Sequence, residues 1–126
     1  MPELPEVETV CRGIAPFVTG KKIKNVQTFG KKLRLPYPEN LAKLSGITIQ
    51  KVRRRAKYIL LDLDTGETLI IHLGMSGQLL AYSRGQLPTP RGAHDHLLLT
   101  LMDGTNLLFR DPRRFGLITL GSTQEL

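Results

Sequence analysis

The sequence lacks features that define several classes of protein. It contains a single cysteine, Cys11, among 126 residues. An internal disulfide and a multi-cysteine zinc site are therefore excluded, and a reducing cytoplasm is the expected compartment. No apolar run reaches the roughly 18 residues of a membrane-spanning helix, and the acidic, proline-containing start is unlike a secretory signal. We expect an intracellular protein with no membrane partner.

Acidic residues are scarce relative to basic ones. Eleven Asp and Glu face eighteen Lys and Arg, which gives a formal net charge of +7. This balance favours a polyanionic partner, because Lys and Arg release the counterions condensed on nucleic acid. The alternative is that the positive charge serves only to keep the protein soluble. The length fits one domain, and 40% hydrophobic residues are enough to fill its core.

Hydrophobic spacing predicts one helix followed by short strands. The predicted helix runs from Pro5 to about Phe17, and one face of it carries Val7, Val10, Ile14 and Phe17. Pro16 is expected to help end this helix. The predicted strands are Ile23 to Phe29, Ile47 to Arg53, Tyr58 to Leu63, Thr68 to His72, Gln78 to Tyr82, Leu97 to Leu101, Asn106 to Arg110 and Leu117 to Leu120.

These elements favour a mainly β fold with flanking α. The closely spaced strands, about eight in number, predict an antiparallel β-sandwich or barrel with the N-terminal helix packed outside. Hairpin turns are expected at 64–67 and 102–105. A short helix is expected from Pro38 to Leu44, and an exposed loop from Ser83 to Ala93.

The first residues offer a nucleophile. Removal of Met1 would leave Pro2 as a secondary amine, and an α-amino group has a reference pKa of about 7.7–8.0 against about 10.4 for lysine. Such an amine can attack an aldehyde-like carbon and form an iminium. Glu3 could then move protons to and from an opened sugar. The alternative is that these residues only initiate the helix.

Basic residues cluster in the segment Arg-Arg-Arg-Ala-Lys-Tyr, at the junction of two predicted strands. Arg53, Arg55 and Lys57 are predicted to share one strand face. Three cations there could bind phosphates, and one could act as an acid on a leaving phosphate oxygen. The alternative is a solvated edge whose charges discourage strand-to-strand aggregation.

Two glycine-flanked loops, residues 73–77 and 111–116, each contain large side chains. Proteins that bend DNA insert apolar wedges between base steps and place arginine in the groove. Met75, Arg113 and Phe115 have the chemistry for this task. The alternative is that Met75 and Phe115 fill the core.

The three histidines, His72, His94 and His96, raise the question of a metal site. On a strand, His94 and His96 would face the same way, so a three-histidine zinc site stays open. No acidic or cysteine ligand has a matching spacing, and we expect no metal here. Phosphate contact and polar packing are the other interpretations.

Five motifs, in the same order, resemble those of formamidopyrimidine-DNA glycosylases. They are the opening Met-Pro-Glu-Leu-Pro-Glu-Val-Glu-Thr-Val, then Arg-Arg-Ala-Lys-Tyr, His-Leu-Gly-Met-Ser-Gly, His-Asp-His and Asp-Pro-Arg-Arg-Phe-Gly. The resemblance spans Met1 to Gly116. Leu4 favours this branch over the endonuclease VIII branch, which usually has glycine there.

The resemblance implies base-excision repair of oxidised purines, such as 8-oxoguanine and formamidopyrimidines, in damaged double-stranded DNA with the target base flipped out. Pro2 would displace the base and form a Schiff base, with Glu3 as acid/base partner. Lys57 would serve the β-elimination step that makes the enzyme a lyase. The residues expected to contact DNA are His94, Arg113, Met75, Phe115 and Arg55.

Full-length members of that family continue with a helix-two-turn-helix domain and a four-cysteine zinc finger. This sequence has neither, so we expect residues 1–126 to be the N-terminal catalytic β-sandwich domain alone, a monomer without a cofactor of its own. In isolation it is expected to be weakly active or inactive. The alternatives are a non-enzymatic basic nucleic-acid-binding β-domain, a three-histidine metalloenzyme and a purely structural fragment.

Overall fold

In the part of the chain that the structure describes, one α-helix is followed by eight strands. The structure, a computed structural model, describes residues 3–29, 33, 36–87 and 92–126, so Pro2 and part of the predicted loop from Ser83 to Ala93 lie outside the described residues. Two single turns of 3-10 helix, Leu41–Leu44 and Thr123–Glu125, complete the elements. The helix and strands are α1 (Leu4–Val18), β1 (Ile23–Thr28), β2 (Ile49–Arg55), β3 (Tyr58–Leu63), β4 (Glu67–His72), β5 (Gln78–Tyr82), β6 (Asp95–Leu101), β7 (Asn106–Arg110) and β8 (Leu117–Ser122).

Helix α1 packs one apolar face onto the strands. Its buried residues are Val7, Cys11, Ile14 and Val18, a spacing of three and four residues. Phe17, expected on this face, is instead exposed because Val18 takes the core position. The helix also continues past Pro16, which was expected to help end it. Among the described residues, no helix is long and apolar enough to cross a membrane.

The eight strands form two antiparallel sheets of four, in the orders β1-β6-β7-β5 and β2-β3-β4-β8. The predicted sandwich is therefore confirmed, and the chain does not close into one barrel. The core between the sheets consists mainly of leucine and isoleucine side chains, with Phe109 as the largest fully buried one. Both predicted hairpin turns are present, and Gly66 and Gly104 adopt there the positive φ that glycine tolerates best.

Several boundaries differ from those predicted. Strand β2 begins at Ile49 because Thr48 makes only an isolated bridge with Lys22. Strand β6 begins two residues before Leu97, with an irregular register between Asp95 and Leu97. The expected helix from 38 to 44 is a single 3-10 turn.

The chain crosses between the two sheets at one end of the sandwich. His72, the last residue of β4, pairs with Leu117, the first residue of β8. Gln78, the first residue of β5, pairs with Arg110, the last residue of β7. The loops 73–77 and 111–116 therefore run side by side from one sheet to the other. Tyr58 at the start of β3 also pairs with His72, which places the β2–β3 turn at the same end.

Stability is expected to depend on the leucines between the sheets. Leu99 is fully buried in β6, whereas Met102 in the following turn is 61% exposed. We expect Leu99→Ala to lower the free energy of unfolding by about 2–5 kcal/mol, since it leaves a cavity. Met102→Ala should change it by less than about 0.5 kcal/mol. Urea unfolding measures both; equal effects of the two substitutions would contradict the assigned core.

Candidate functional site

The predicted site residues that the structure describes gather at the crossover end of the sandwich. Glu3 precedes α1, and Lys57 lies in the β2–β3 turn. The two crossover loops hold Met75, Arg113 and Phe115. His94 directly precedes β6, whose first residue pairs with the end of β7. Pro2 lies outside the described residues, and only its covalent bond to Glu3 relates it to this end.

Glu3 and Lys57 form the centre of the candidate site. The Lys57 Nζ lies 3.7 Å from the Glu3 Oε2, with side chains 34% and 70% exposed. Such an exposed pair stabilises a fold little, so both groups remain available to a ligand. The backbone of Glu3 is better fixed, because its carbonyl accepts hydrogen bonds of 3.0 Å from the backbone N–H groups of Glu6 and Val7.

Lys57 does not share a strand face with Arg53 and Arg55, and that prediction was wrong. Strand β2 ends at Arg55, which pairs with Tyr58 across a two-residue turn of Ala56 and Lys57. Ala56 has a φ of +50°, an uncommon conformation for a residue with a Cβ. The turn redirects the lysine from the strand toward the start of α1.

Arg54 braces this turn against the helix. Its Nη1 donates to the Ala56 carbonyl at 2.9 Å, and its Nε donates to the Glu8 Oε1 at 3.0 Å. Hydrogen bonds from Arg12, then from Arg54, lower the pKa of the Glu8 carboxyl below its ordinary value. The same guanidinium therefore contacts both elements that carry Glu3 and Lys57.

Arg53 is committed to a structural ion pair. Its Nε lies 2.7 Å from the Asp62 Oδ2, and the Thr68 hydroxyl donates to the Asp62 Oδ1 at 2.8 Å. Burial raises the pKa of Asp62, but the hydrogen bonds from Arg53 and Thr68 together outweigh it, and the net pKa is lowered. Of the two strand arginines predicted to bind phosphate, Arg55 is the exposed one.

Met75 and Phe115 are not core residues. They are 47% and 46% exposed, which rules out the interpretation that they fill the core. The guanidinium carbon of Arg113 lies 5.5 Å from the centre of the Phe115 ring, within the range of a cation–π contact. The two crossover loops thus present two apolar side chains and one cation to solvent at the same end as Lys57.

A cleft of about 360 Å³ opens beside these groups. Its wall includes Glu6 and Val10 from α1 and Met75 and Ser76 from the first crossover loop. A concave space lined by a carboxylate and apolar side chains, beside an acid/base group, has the features of a ligand pocket.

The histidines do not form the metal site that the sequence left open. His96 is fully buried and its Nε2 is 2.9 Å from the Asp111 carbonyl oxygen. His94 is exposed, so the two do not face the same way as they would on a regular strand. The Nδ1 of His72 accepts a hydrogen bond from the Gly74 N–H. In the described ranges, no three His, Cys, Asp or Glu side chains are grouped to hold a metal ion.

Sequence reasoning missed Glu6, Arg54, Ser76 and Asp111. Asp111 is fully buried and accepts a hydrogen bond of 2.6 Å from the Ser76 hydroxyl. All four lie inside or beside the recognised motifs, yet Arg54 contacts Glu8 and Ser76 contacts Asp111, and these partners are 46 and 35 residues apart along the chain. An acidic residue directly after a strand of buried residues was the available signal for Asp111, since a carboxylate there needs hydrogen-bond donors.

Comparison with known proteins identifies the relatives of this chain. The family model described as the formamidopyrimidine-DNA glycosylase N-terminal domain matches residues 1–118. A formamidopyrimidine-DNA glycosylase of Geobacter sulfurreducens is 55% identical over 119 residues, 94% of this chain and 42% of the relative. One from Beijerinckia indica is 45% identical over 131 residues, 100% of this chain and 46% of the relative. The chain thus spans less than half the length of these relatives.

Solved structures with the same fold contain DNA. Lactococcus lactis Fpg in complex with DNA containing an abasic site has a TM-score of 0.84 and 34% identity, covering 98% of this chain and 45% of that one. The same Fpg with N7-benzyl-Fapy-dG-containing DNA has a TM-score of 0.84 and 37% identity, with the same coverage of 98% and 45%.

The site geometry predicts that Cys11 does not react as a nucleophile. Burial, then the charge of Glu8, raises the pKa of its thiol to about 11. The thiolate fraction at pH 7 is then about 10⁻⁴. We expect a disulfide reagent to modify folded protein very slowly and guanidinium-unfolded protein within minutes. Equal rates in the two states would contradict this burial.

Proposed function

The chain belongs to the formamidopyrimidine-DNA glycosylase family, and on that premise we propose that it is the nucleophile-bearing part of a DNA glycosylase and abasic-site lyase acting on oxidised purines. One observation carries the proposal. The Lys57 ammonium lies 3.7 Å from the carboxylate of Glu3, the residue bonded to Pro2. The carboxylate that Lys57 faces thus belongs to the residue that directly follows the potential secondary amine in the sequence.

The first proposed step displaces the damaged base. Once Met1 is removed, the Pro2 nitrogen forms a bond to C1′ of the flipped nucleotide. The glycosidic bond breaks, and the base departs with the bonding electrons and gains a proton. The nitrogen then loses its own proton, and its lone pair expels O4′, which leaves an iminium, the protonated Schiff base. Glu3 in its acid form supplies the proton that O4′ takes up.

The second proposed step is β-elimination. The iminium withdraws electrons and acidifies the proton on C2′. The Glu3 carboxylate, which has given its own proton to O4′, takes up this proton as the 3′ phosphate is expelled. Lys57 contacts that phosphate and stabilises the negative charge that develops on the leaving oxygen. Water then hydrolyses the conjugated iminium and releases Pro2. These steps require no metal and no organic cofactor.

Damaged double-stranded DNA is the proposed partner. The net charge of +7 and the exposed Arg55, His94 and Arg113 fit a phosphate backbone. Met75 and Phe115 would fill the space that the flipped nucleotide leaves, with Arg113 directed to the opposite strand. The cleft lined by Glu6 would receive part of the extruded base. We further propose a monomer that acts in the cytoplasm of a bacterium.

The isolated chain is proposed to bind weakly and to excise bases slowly. It spans 42% to 47% of the length of its formamidopyrimidine-DNA glycosylase relatives. A protein that contacts a DNA duplex from one side only makes fewer contacts than one that surrounds it. An excision rate for 8-oxoguanine equal to that of a full-length relative would contradict this part of the proposal.

The nucleophile is tested by borohydride trapping. We expect the chain without Met1 to form a covalent adduct with an abasic-site duplex under sodium borohydride, because the iminium is reduced to a stable amine. Intact mass would show the DNA strand that carries the reduced sugar attached to the protein, and peptide mapping after nuclease digestion would locate it at Pro2. The matched control retains Met1, in which the Pro2 nitrogen is an amide and cannot attack.

The same experiment distinguishes the proposal from a binding domain. Absence of an adduct despite measurable duplex binding by processed, folded protein would contradict the lyase assignment. It would favour the non-enzymatic nucleic-acid-binding domain instead.

Glu3→Gln separates the two steps. The amide cannot donate the proton to O4′ that opens the sugar ring and makes displacement of the base irreversible, so we expect excision of 8-oxoguanine to fall by about 10²–10⁴-fold. Trapping on a preformed abasic site should fall much less, since the base has already left and its sugar opens spontaneously. Single-turnover rates on the two substrates measure the difference; an equal loss on both would contradict the role given to Glu3.

A further inference from the structure

A buried hydrogen-bond network joins the two loops that carry Met75, Arg113 and Phe115. Asp111, at the start of the second loop, is fully buried. Its Oδ1 accepts a hydrogen bond of 2.6 Å from the Ser76 hydroxyl in the first loop, and its Oδ2 accepts one of 2.7 Å from the Gly116 N–H. One carboxylate therefore holds the neighbouring crossover loop and the far end of its own loop.

Ser76 extends this network to the residue that presents the cation. Its oxygen accepts a hydrogen bond of 3.0 Å from the backbone N–H of Arg113 while its own proton goes to Asp111. The Arg113 side chain stays exposed, yet its backbone is tied to the loop that holds Met75. The distance of 2.6 Å between the Ser76 hydroxyl oxygen and the Asp111 Oδ1 is at the short end of the range for O–H···O hydrogen bonds.

The backbone of Asp111 is fixed as firmly as its side chain. Its N–H donates to the His94 carbonyl at 2.9 Å, and its carbonyl lies 2.9 Å from the His96 Nε2. Because a carbonyl only accepts, the proton must reside on that His96 nitrogen. His96 is itself fully buried, so its hydrogen bond holds the Asp111 backbone against the core of the sandwich.

The loops also touch through their backbones where glycine leaves room. A Cβ on Gly74 would lie 2.6 Å from the backbone N of Gly116, and one on Gly116 would lie 2.7 Å from the Asp111 Oδ2. The loop backbones at Gly74 and Gly116 therefore have such close neighbours that neither position has space for a side chain. The exposed side chains of Met75 and Phe115 therefore extend from two loop backbones that lie close together.

We propose that Asp111 and Ser76 are positioning residues that lock the two crossover loops into one DNA-probing unit. They touch no DNA themselves; they fix the spacing at which Met75, Arg113 and Phe115 enter the duplex together. This inference rests on the proposed function for its DNA role, while the lock itself is a property of the fold. Met75, Arg113 and Phe115 together form the wedge that enters the duplex. If the two loops moved independently, their side chains would enter one at a time, and ordering the loops on binding would cost conformational entropy.

The lock is tested first without DNA. Ser76→Ala removes the hydroxyl that links Asp111 to the Arg113 N–H, and the half-exposed position tolerates the smaller side chain. We expect amide hydrogen exchange at Arg113 to accelerate by about fivefold, the equivalent of one ordinary hydrogen bond. The Gly116 N–H, whose bond to Asp111 remains, should keep its protection. Ser76→Thr, which retains a hydroxyl, should restore slow exchange at Arg113.

The DNA role is tested with 2-aminopurine placed beside an abasic-site analogue in a duplex. Wild-type protein at saturation should raise its fluorescence, because insertion of the wedge unstacks the neighbouring base. At saturating protein, where any loss of affinity is compensated, Ser76→Ala should lose most of that rise, and Ser76→Thr should recover it. Ser45→Ala, an exposed serine outside both loops, is the matched control and should behave as wild type.

Each outcome bears on a different claim. Unchanged Arg113 exchange in Ser76→Ala would overturn the lock, whatever the protein does with DNA. Faster exchange with a wild-type fluorescence rise would overturn the positioning role. Wild-type protein that fails to bind the duplex would overturn the proposed function, and the DNA role of the lock with it, while the exchange result still decides the lock.

Discussion

The side-by-side crossing of the chain between its two sheets is the constraint on which the candidate site depends. Strands β4 and β8 pair in one sheet, and β5 and β7 pair in the other, so the connections β4–β5 and β7–β8 must cross the same edge of the sandwich. Loops that leave ordered strands at fixed residues have little freedom in where their tips lie. The β2–β3 turn joins them through the pairing of Tyr58 with His72. A stable antiparallel core thereby sets the geometry of side chains that are themselves exposed.

Charged groups divide between those that hold this end together and those that face solvent. Arg53 pairs with Asp62, and Arg54 braces the Ala56–Lys57 turn against α1, so two of three consecutive arginines serve the scaffold. Arg55 and Lys57 remain accessible. The net positive charge alone therefore overstates the number of cations available to a polyanion.

Local hydrophobic pattern was enough to locate the elements, and β3, β5 and β7 begin and end at the predicted residues. The errors arise where tertiary packing or strand pairing overrides the local sequence pattern. Val18 takes the core position expected for Phe17, and Lys57 lies in a turn because β2 and β3 pair up to Arg55. The site residues could be predicted by type, from motifs and from the reactivity of an N-terminal amine. Their supports could not, because Asp111 and its partner Ser76 lie 35 residues apart and meet only after both crossovers form.

Amide chemical shifts measured during titration with a short abasic-site duplex test the central claim most directly, since the whole account places the DNA at the crossover end. The account predicts that the amides of Lys57, Ser76, Arg113 and Gly116 shift together. The amides of the 64–66 and 102–105 turns, at the opposite end of the sandwich, should stay unchanged. Shifts concentrated at those distal turns, with the crossover loops unaffected, would contradict it.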